Sequence, residues 1–156
     1  MTRCDLNLGF IGLGAIGRPM AANLCHAGFR LNVHTRSRSA ETAPELQGAR
    51  SCASPAVAAD AVDVLLICVS DDQAVETVLF GSDGAASTLR PDSVVVDCST
   101  IAPATAMACA ERVAEQGIHY VDAPVTGGTE GAKAGTLTLL AGGESTALAS
   151  VRPVLE

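Results

Sequence analysis

The stretch Leu8-Gly9-Phe10-Ile11-Gly12-Leu13-Gly14-Ala15-Ile16-Gly17-Arg18-Pro19-Met20 decides how this chain reads. Leu6, Leu8, Phe10 and Ile11 form an apolar run that predicts a buried strand. Ile16, Met20, Leu24 and Ala27 recur at helical spacing, and Gly28 follows where a helix favours a left-handed residue. Between strand and helix, Gly12, Gly14 and Gly17 give the spacing G-x-G-x-x-G. Each glycine has its own physical reason there. The first allows a sharp turn out of the strand. The second has no Cβ, so a pyrophosphate can approach the backbone. The third lets the helix lie close on the sheet. The helix N-terminus then offers N–H groups and a positive dipole end to an anion. The same spacing also occurs in plain glycine turns. The strand before it and the helix after it supply the context that a dinucleotide site requires. The expected cradle is therefore Gly12, Leu13, Gly14, Ala15, Ile16 and Gly17.

Composition narrows the field. A chain of 156 residues fits one domain with a substantial core. Aromatic residues are 3 %, too few for base-stacking recognition of single-stranded nucleic acid. The net charge is −7 with no basic run, so neither nucleic acid nor an anionic membrane is an expected partner. Residues 1–5 lead into a strand and not into a signal-peptide apolar region, and the longest apolar run, 64–69, is too short to span a bilayer. The expected location is cytoplasmic. Cys4, Cys25, Cys52, Cys68, Cys98 and Cys109 are scattered, with no C-x-x-C and no histidine at ligand spacing. They read as free thiols in packing positions, and no metal site is expected.

Strand and helix patterns alternate along most of the chain. Strands are expected at 30–34, weakly at 51–53, then at 62–69, 94–97, 118–125 and 136–141. Helices are expected from the polar turn at 35–39 through about Leu46, after the Ser54-Pro55 cap, from Asp71 onward, over 103–116, and over 144–155. This alternation predicts an α/β fold, a Rossmann-type doubly wound and mostly parallel sheet in one domain.

The end of the second strand bears on cofactor choice. NAD sites carry an Asp or Glu there for the ribose 2′-hydroxyl, whereas NADP sites lack it and use an arginine for the 2′-phosphate. Here it reads Val33-His34-Thr35-Arg36-Ser37-Arg38, and no carboxylate appears until Glu41. Arg36 can give charge-assisted hydrogen bonds to a phosphate and Ser37 a neutral one, while Arg38 can point either way. NADP is therefore expected ahead of NAD, against the alternative of a solvated turn. Two later stretches, Asp97-Cys98-Ser99-Thr100 and Asp122-Ala123-Pro124-Val125-Thr126-Gly127-Gly128, close successive strands with hydroxyls and glycines. Open α/β sheets bind ligands at that edge. Alone, each could equally be a cap or turn.

Taken together, the glycine turn with its continuation Arg18-Pro19-Met20-Ala21-Ala22-Asn23-Leu24, these two loops, Ala134-Gly135-Thr136-Leu137-Thr138 and Gly142-Gly143-Glu144 resemble the β-hydroxyacid dehydrogenase family. That family includes 3-hydroxyisobutyrate dehydrogenase and, more distantly, 6-phosphogluconate dehydrogenase. The resemblance runs through the chain in order. It implies an NAD(P)-dependent oxidoreductase transferring a hydride between a nicotinamide and a small 3-hydroxy acid or semialdehyde. It implies that Thr35, Arg36 and Ser37 flank the adenosine end, that Val69, Ser70 and Thr100 lie along the nicotinamide side, and that Ser99, Thr126, Gly127 and Gly128 hold the substrate. Thr126 stands where the family usually has serine. The family's proton-transferring lysine belongs to an all-helical second domain that also builds an oligomer, and both are expected beyond Glu156. The one lysine here, Lys133, lies in an expected small-residue loop outside that motif and reads as surface. His26, His34 and His119 are poorly placed to replace it. Asp71-Asp72 reads as a helix cap, not an acid–base pair. The 156 residues should thus bind cofactor without completing turnover. Imine reductases share this turn and give a second enzymatic reading, and a non-catalytic cofactor-binding or interaction module gives a third.

Overall fold

In the computed structural model, which describes residues 6–156, period-two burial builds the sheet. Leu8 and Phe10 of β1 (Asn7–Ile11) face one core and Ile11 the other; in β4 (Val64–Ile67), Val64 and Leu66 oppose Leu65 and Ile67 in the same way. Strands apolar on both faces belong in the middle of a sheet covered by helices on both sides. With β2 (Arg30–His34), β3 (Arg50–Ser51), β5 (Val94–Asp97) and β6 (His119–Asp122) they form one sheet in the order β3-β2-β1-β4-β5-β6. Every pairing in it is parallel. The order reverses between β1 and β4, which opens a crevice at their carboxyl ends.

The helices follow from local signals. α1 (Gly17–His26) starts directly from the glycine turn, with no capping side chain and no acid in its first turn. By contrast, Ser54 caps α2 (Pro55–Ala59) by accepting the Val57 N–H at 3.3 Å, and Asp71 caps α3 (Asp72–Phe80) by accepting the Ala74 N–H at 2.8 Å. α4 (Pro103–Ala114) begins on its proline. α6 (Ser145–Leu155) packs Ala147, Val151 and Val154 into the core shared with β1. No helix among the described residues is long and apolar enough to cross a membrane.

Four expectations need correction. The helix expected through Leu46 is instead two short 3-10 turns, Ser39–Thr42 and Pro44–Leu46, because Pro44 forces Ala43 into extended backbone (ψ 138°). The sixth strand stops at Asp122, and Val125–Thr126 leaves the main sheet as β7. β7 pairs antiparallel with β8 (Thr138–Leu139), all that remains of the expected seventh strand. Between them lies α5 (Gly128–Ala134), a helix that carries Lys133 where a loop was expected. The lead-in at residues 1–5, Cys4 among them, falls outside the described residues.

Candidate cofactor site

The glycine turn sits where β1 meets the crevice. Gly12 has φ +99°, and its N–H donates to the His34 carbonyl at 2.9 Å. A Cβ there would stand 2.1 Å from the Cys68 carbonyl oxygen and 2.9 Å from Val69 Cγ1, so the end of β4 lies against this residue. A Cβ on Gly17 would stand 1.9 Å from the Gly12 carbonyl oxygen, which confirms close packing of α1 on the turn. Gly14 is the exception: a Cβ there would meet nothing within 4 Å, and its φ is not left-handed. Neither fold contacts nor backbone strain among the described residues require glycine at that position. An exposed backbone facing open space, ahead of a helix with no cap of its own, fits a pyrophosphate. Ala15 is exposed beside it, Ile16 is half-buried at the helix N-cap, and the Leu13 side chain is buried.

The edge expected to face the adenosine is built around an acid. The Leu13 N–H donates to Thr35 Oγ1 at 3.3 Å, tying the turn to the end of β2. Glu41, 5 % exposed, folds back beneath the loop. It accepts the Thr35 N–H at 2.9 Å, Arg38 Nε at 2.9 Å and the Ser51 hydroxyl, and His34 Nδ1 lies 3.5 Å away. Burial alone raises this carboxyl's pKa, but the hydrogen bonds from Ser51, Thr35 and Arg38 outweigh it, and the net direction is down. Arg38, at φ 61°, is thereby turned toward β3, where it also reaches the Ala53 carbonyl at 3.3 Å. Arg36 and Ser37 are exposed, and Arg36 makes no hydrogen bond or ion pair among the described residues. Sequence reasoning left Arg38 open and missed Glu41's role. The early signal was present: an acid six residues past Thr35 and three past Arg38.

On the other side of the crevice, Ser70, Asp71, Asp72, Gln73, Thr100, Ile101 and Ala102 line a shallow depression. Its rim is held by the Ala102 N–H, which donates to Asp72 Oδ1 at 2.9 Å. Asp71 has a lowered pKa, chiefly because it accepts the Ala74 N–H and also the Ser70 hydroxyl. Both acids are therefore occupied within the protein, Asp71 as the cap of α3 and Asp72 by the Ala102 N–H. Ser70 and Thr100 are exposed at this edge and Val69 is half-buried. Ser99 needs correction as a substrate ligand. It is 2 % exposed, and its Oγ accepts the Val69 N–H at 3.0 Å. Behind it Asp97, fully buried, accepts the Ser99 N–H at 2.9 Å and the Tyr120 hydroxyl at 2.6 Å. Burial raises the Asp97 pKa against the opposing pull of those bonds. Burial, with the Asp97 charge, pushes Cys68 up to about 11, and burial pushes Cys98 up as well, so neither thiol near this edge is an activated nucleophile.

Thr126, Gly127 and Gly128 are exposed at the start of α5, and Gly127 and Gly128 both have left-handed φ. Asn23 on α1 holds this element by donating to the Ala132 carbonyl at 2.8 Å. Lys133 is exposed and pairs with Glu130 at 3.0 Å. His119 begins β6, at the opposite end of the strand from the crevice, beside Glu144. His26 ends α1. His34 Nδ1 lies 2.9 Å from the Cys52 carbonyl oxygen. The described residues contain no His/Cys/Asp/Glu cluster able to hold a metal ion.

Comparison with known proteins agrees with this geometry. Residues 7–156 match the NAD binding domain of 6-phosphogluconate dehydrogenase. The chain is 41 % identical over 150 residues to the 3-hydroxyisobutyrate dehydrogenase of Pseudomonas aeruginosa, covering 96 % of this chain and 50 % of that protein. Among solved structures it is similar to Mycobacterium tuberculosis 3-hydroxyisobutyrate dehydrogenase with L-serine (TM-score 0.90, 31 % identity, covering 97 % of this chain and 51 % of that one). It is also similar to Psf3 in complex with NADP+ and 2-OPP (TM-score 0.89, 36 % identity, covering 95 % and 52 %). The chain spans about half the length of the curated relatives it matches. With its glycine turn at the switch point of a six-stranded parallel sheet, the chain belongs to the β-hydroxyacid dehydrogenase family.

Proposed function

We propose that this chain is the NADP-preferring cofactor-binding domain of an oxidoreductase of the 3-hydroxyisobutyrate dehydrogenase type, acting on a small 3-hydroxy acid or its semialdehyde. The observation that carries the binding reading is Gly14, whose missing Cβ leaves open space at the mouth of the crevice. In this reading residues 12–17 receive the pyrophosphate through backbone N–H groups and the uncapped start of α1. Arg36 and Ser37 receive the 2′-phosphate, since the nearby acid Glu41 is buried and Arg38 is engaged by it. Val69, Ser70 and Thr100 flank the nicotinamide half. The bound nicotinamide supplies the hydride. Thr126, Gly127 and Gly128 orient the substrate carboxylate through a hydroxyl and backbone donors. P. aeruginosa 3-hydroxyisobutyrate dehydrogenase supports the substrate class, and the NADP+ complex of Psf3 supports the cofactor.

The proton needed by the developing alkoxide has no donor in this reading, because the lone lysine is engaged with Glu130 on an exposed helix. Binding without turnover is therefore proposed for these 156 residues, with the proton donor and subunit contacts in a helical partner domain. Imine reduction would use the same cofactor half and differ at the proton donor. The test is calorimetric titration of the chain with NADPH and NADH. NADPH is expected to bind at least tenfold tighter. Equal affinities would remove the NADP preference, and no binding of either would remove the cofactor reading.

A further inference from the structure

A polar chain crosses the carboxyl edge of the sheet in strand order. Tyr120 of β6 donates its hydroxyl to Asp97 Oδ2 at the end of β5 (2.6 Å). Asp97 Oδ1 accepts the Ser99 N–H at 2.9 Å, and Ser99 Oγ accepts the Val69 N–H just past β4 at 3.0 Å. Val69 and the Cys68 carbonyl then lie against Gly12, so the chain ends beneath the pyrophosphate turn. Asp97 and Ser99 are 0 % and 2 % exposed, and both Asp97 carboxyl oxygens are occupied within the protein. Neither is available to a ligand.

A buried carboxyl is a poor choice for stability alone, because well-packed apolar residues commonly serve as well or better. What this one does is geometric. It fixes the Ser99 backbone, and the hydroxyl that this backbone carries holds the Val69 N–H at the point where the crevice wall passes from the glycine turn to Ser70 and Thr100. The far side of the crevice, at Thr35, is held independently by Glu41. The two ends of the site therefore have separate supports.

We infer that Asp97 is a positioning residue for the nicotinamide half of the cofactor, acting through Ser99 on the Val69 backbone, while leaving the adenosine half untouched. The inference rests on the dinucleotide reading above. Its signature is a split that a merely structural staple would not give: the whole dinucleotide loses affinity, and a fragment confined to the adenosine end does not.

The experiment titrates the 156-residue chain and its Ser99→Ala, Asp97→Asn and Tyr120→Phe variants with NADPH and with 2′,5′-ADP. Thermal unfolding and amide hydrogen exchange at Val69 are followed alongside. Ser99→Ala removes one hydroxyl and stays testable if Asp97→Asn folds poorly. NADPH is expected to weaken about tenfold in Ser99→Ala and Asp97→Asn, the scale of one buried hydrogen bond to a fixed partner, and less in Tyr120→Phe at the far end of the chain. Binding of 2′,5′-ADP should stay within twofold, and the Val69 amide should exchange faster in Ser99→Ala. A parallel loss of both ligands with a fall in melting temperature would make the network a fold staple and overturn the inference. Unchanged NADPH affinity in both Ser99→Ala and Asp97→Asn would overturn it too. If the unaltered chain binds neither NADPH nor NADH, the dinucleotide reading itself fails and takes the inference with it. If it binds them normally and only the split is missing, that reading stands without the inference.

Discussion

Alanine at each of the three turn glycines should separate folding from binding, because the glycines are needed for different reasons. Gly12→Ala forces a Cβ onto a backbone at φ +99° and to 2.1 Å from the Cys68 carbonyl. The left-handed conformation costs about 1–2 kcal/mol and the overpacking about 1–3 kcal/mol. About 3 kcal/mol lowers the melting temperature of a chain this size by about 6–12 °C. Gly17→Ala meets the Gly12 carbonyl at 1.9 Å and should also destabilise, by about 1–3 kcal/mol. Gly14→Ala meets nothing, and its backbone is not left-handed. It should be neutral or stabilising, by up to about 1 kcal/mol, since alanine restricts the unfolded chain. Yet its methyl occupies the space where a phosphate would approach the backbone. Losing one charge-assisted hydrogen bond of about 1.5–3 kcal/mol weakens NADPH by about tenfold to a hundredfold. Calorimetric melting and NADPH fluorescence titration read the two effects separately. A Gly14→Ala variant that folds normally and binds NADPH like the unaltered chain would refute the argument, because the open space at Gly14 would then have no connection to the ligand.

Other outcomes follow from the same contacts. Arg36→Asp should weaken NADPH at least tenfold and leave NADH unchanged or improved; NADPH binding untouched by this change would make Arg36 a solvated surface residue. Glu41→Gln should cost about 2 kcal/mol at pH 7, since it removes the charge that Arg38 and the Thr35 N–H bond to. The sign with pH follows from its lowered pKa: the stabilisation is complete above the ordinary glutamate value of about 4.3 and is lost as pH falls through the lower folded value. Melting curves of Glu41→Gln should therefore lose stability less steeply on acidification than the unaltered chain. Asp97, raised by burial, works in the opposite sense and cannot produce that acid limb. The chain alone should show no turnover of NADP with small 3-hydroxy acids, and Lys133→Ala should leave NADPH binding unchanged; measurable turnover abolished by Lys133→Ala would give that lysine a catalytic role.

What could be read from the sequence divides by the range of the interactions involved. The central strands were legible because their period-two burial is local: Leu8, Phe10, Val64, Leu66, Val94 and Val96 all face one core. The glycine turn was legible for a related reason, since a strand, a turn and an uncapped helix start sit within one short stretch. α5 was not. It buries only Ala132 and contains Gly128 and Gly131, so it has no apolar stripe to announce it. It is fastened instead by Asn23, 109 positions away in the chain. Pro44 did carry a local signal against a continuous helix, and the apolar spacing around it obscured that signal.

The Asp97 network shows where sequence reading stops. Parity places Val95 and Asp97 on one face of β5, and a carboxylate closing Val94-Val95-Val96 needs a partner. Which partner depends on the neighbouring strand and its register. Tyr120 stands opposite Val95, on the same face, and its ring carries the hydroxyl to Asp97. That register exists only once α4 has crossed over and laid β6 beside β5. The crossover also decides the fate of Ser99. Its hydroxyl resembled a ligand group when read along the chain, and turned inward to the Val69 N–H once β4 and β5 were adjacent. A hydroxyl one residue nearer the buried end of a strand than Thr100 is more useful holding the wall than facing the ligand. In the proposed site, the exposure of the two neighbours, 2 % for Ser99 and open for Thr100, makes the first a support and leaves the second free to reach a ligand. A Ser99→Ala variant should therefore act on affinity through backbone placement, whereas a Thr100→Ala variant should act by losing a direct hydrogen bond. Only the former should quicken hydrogen exchange at Val69.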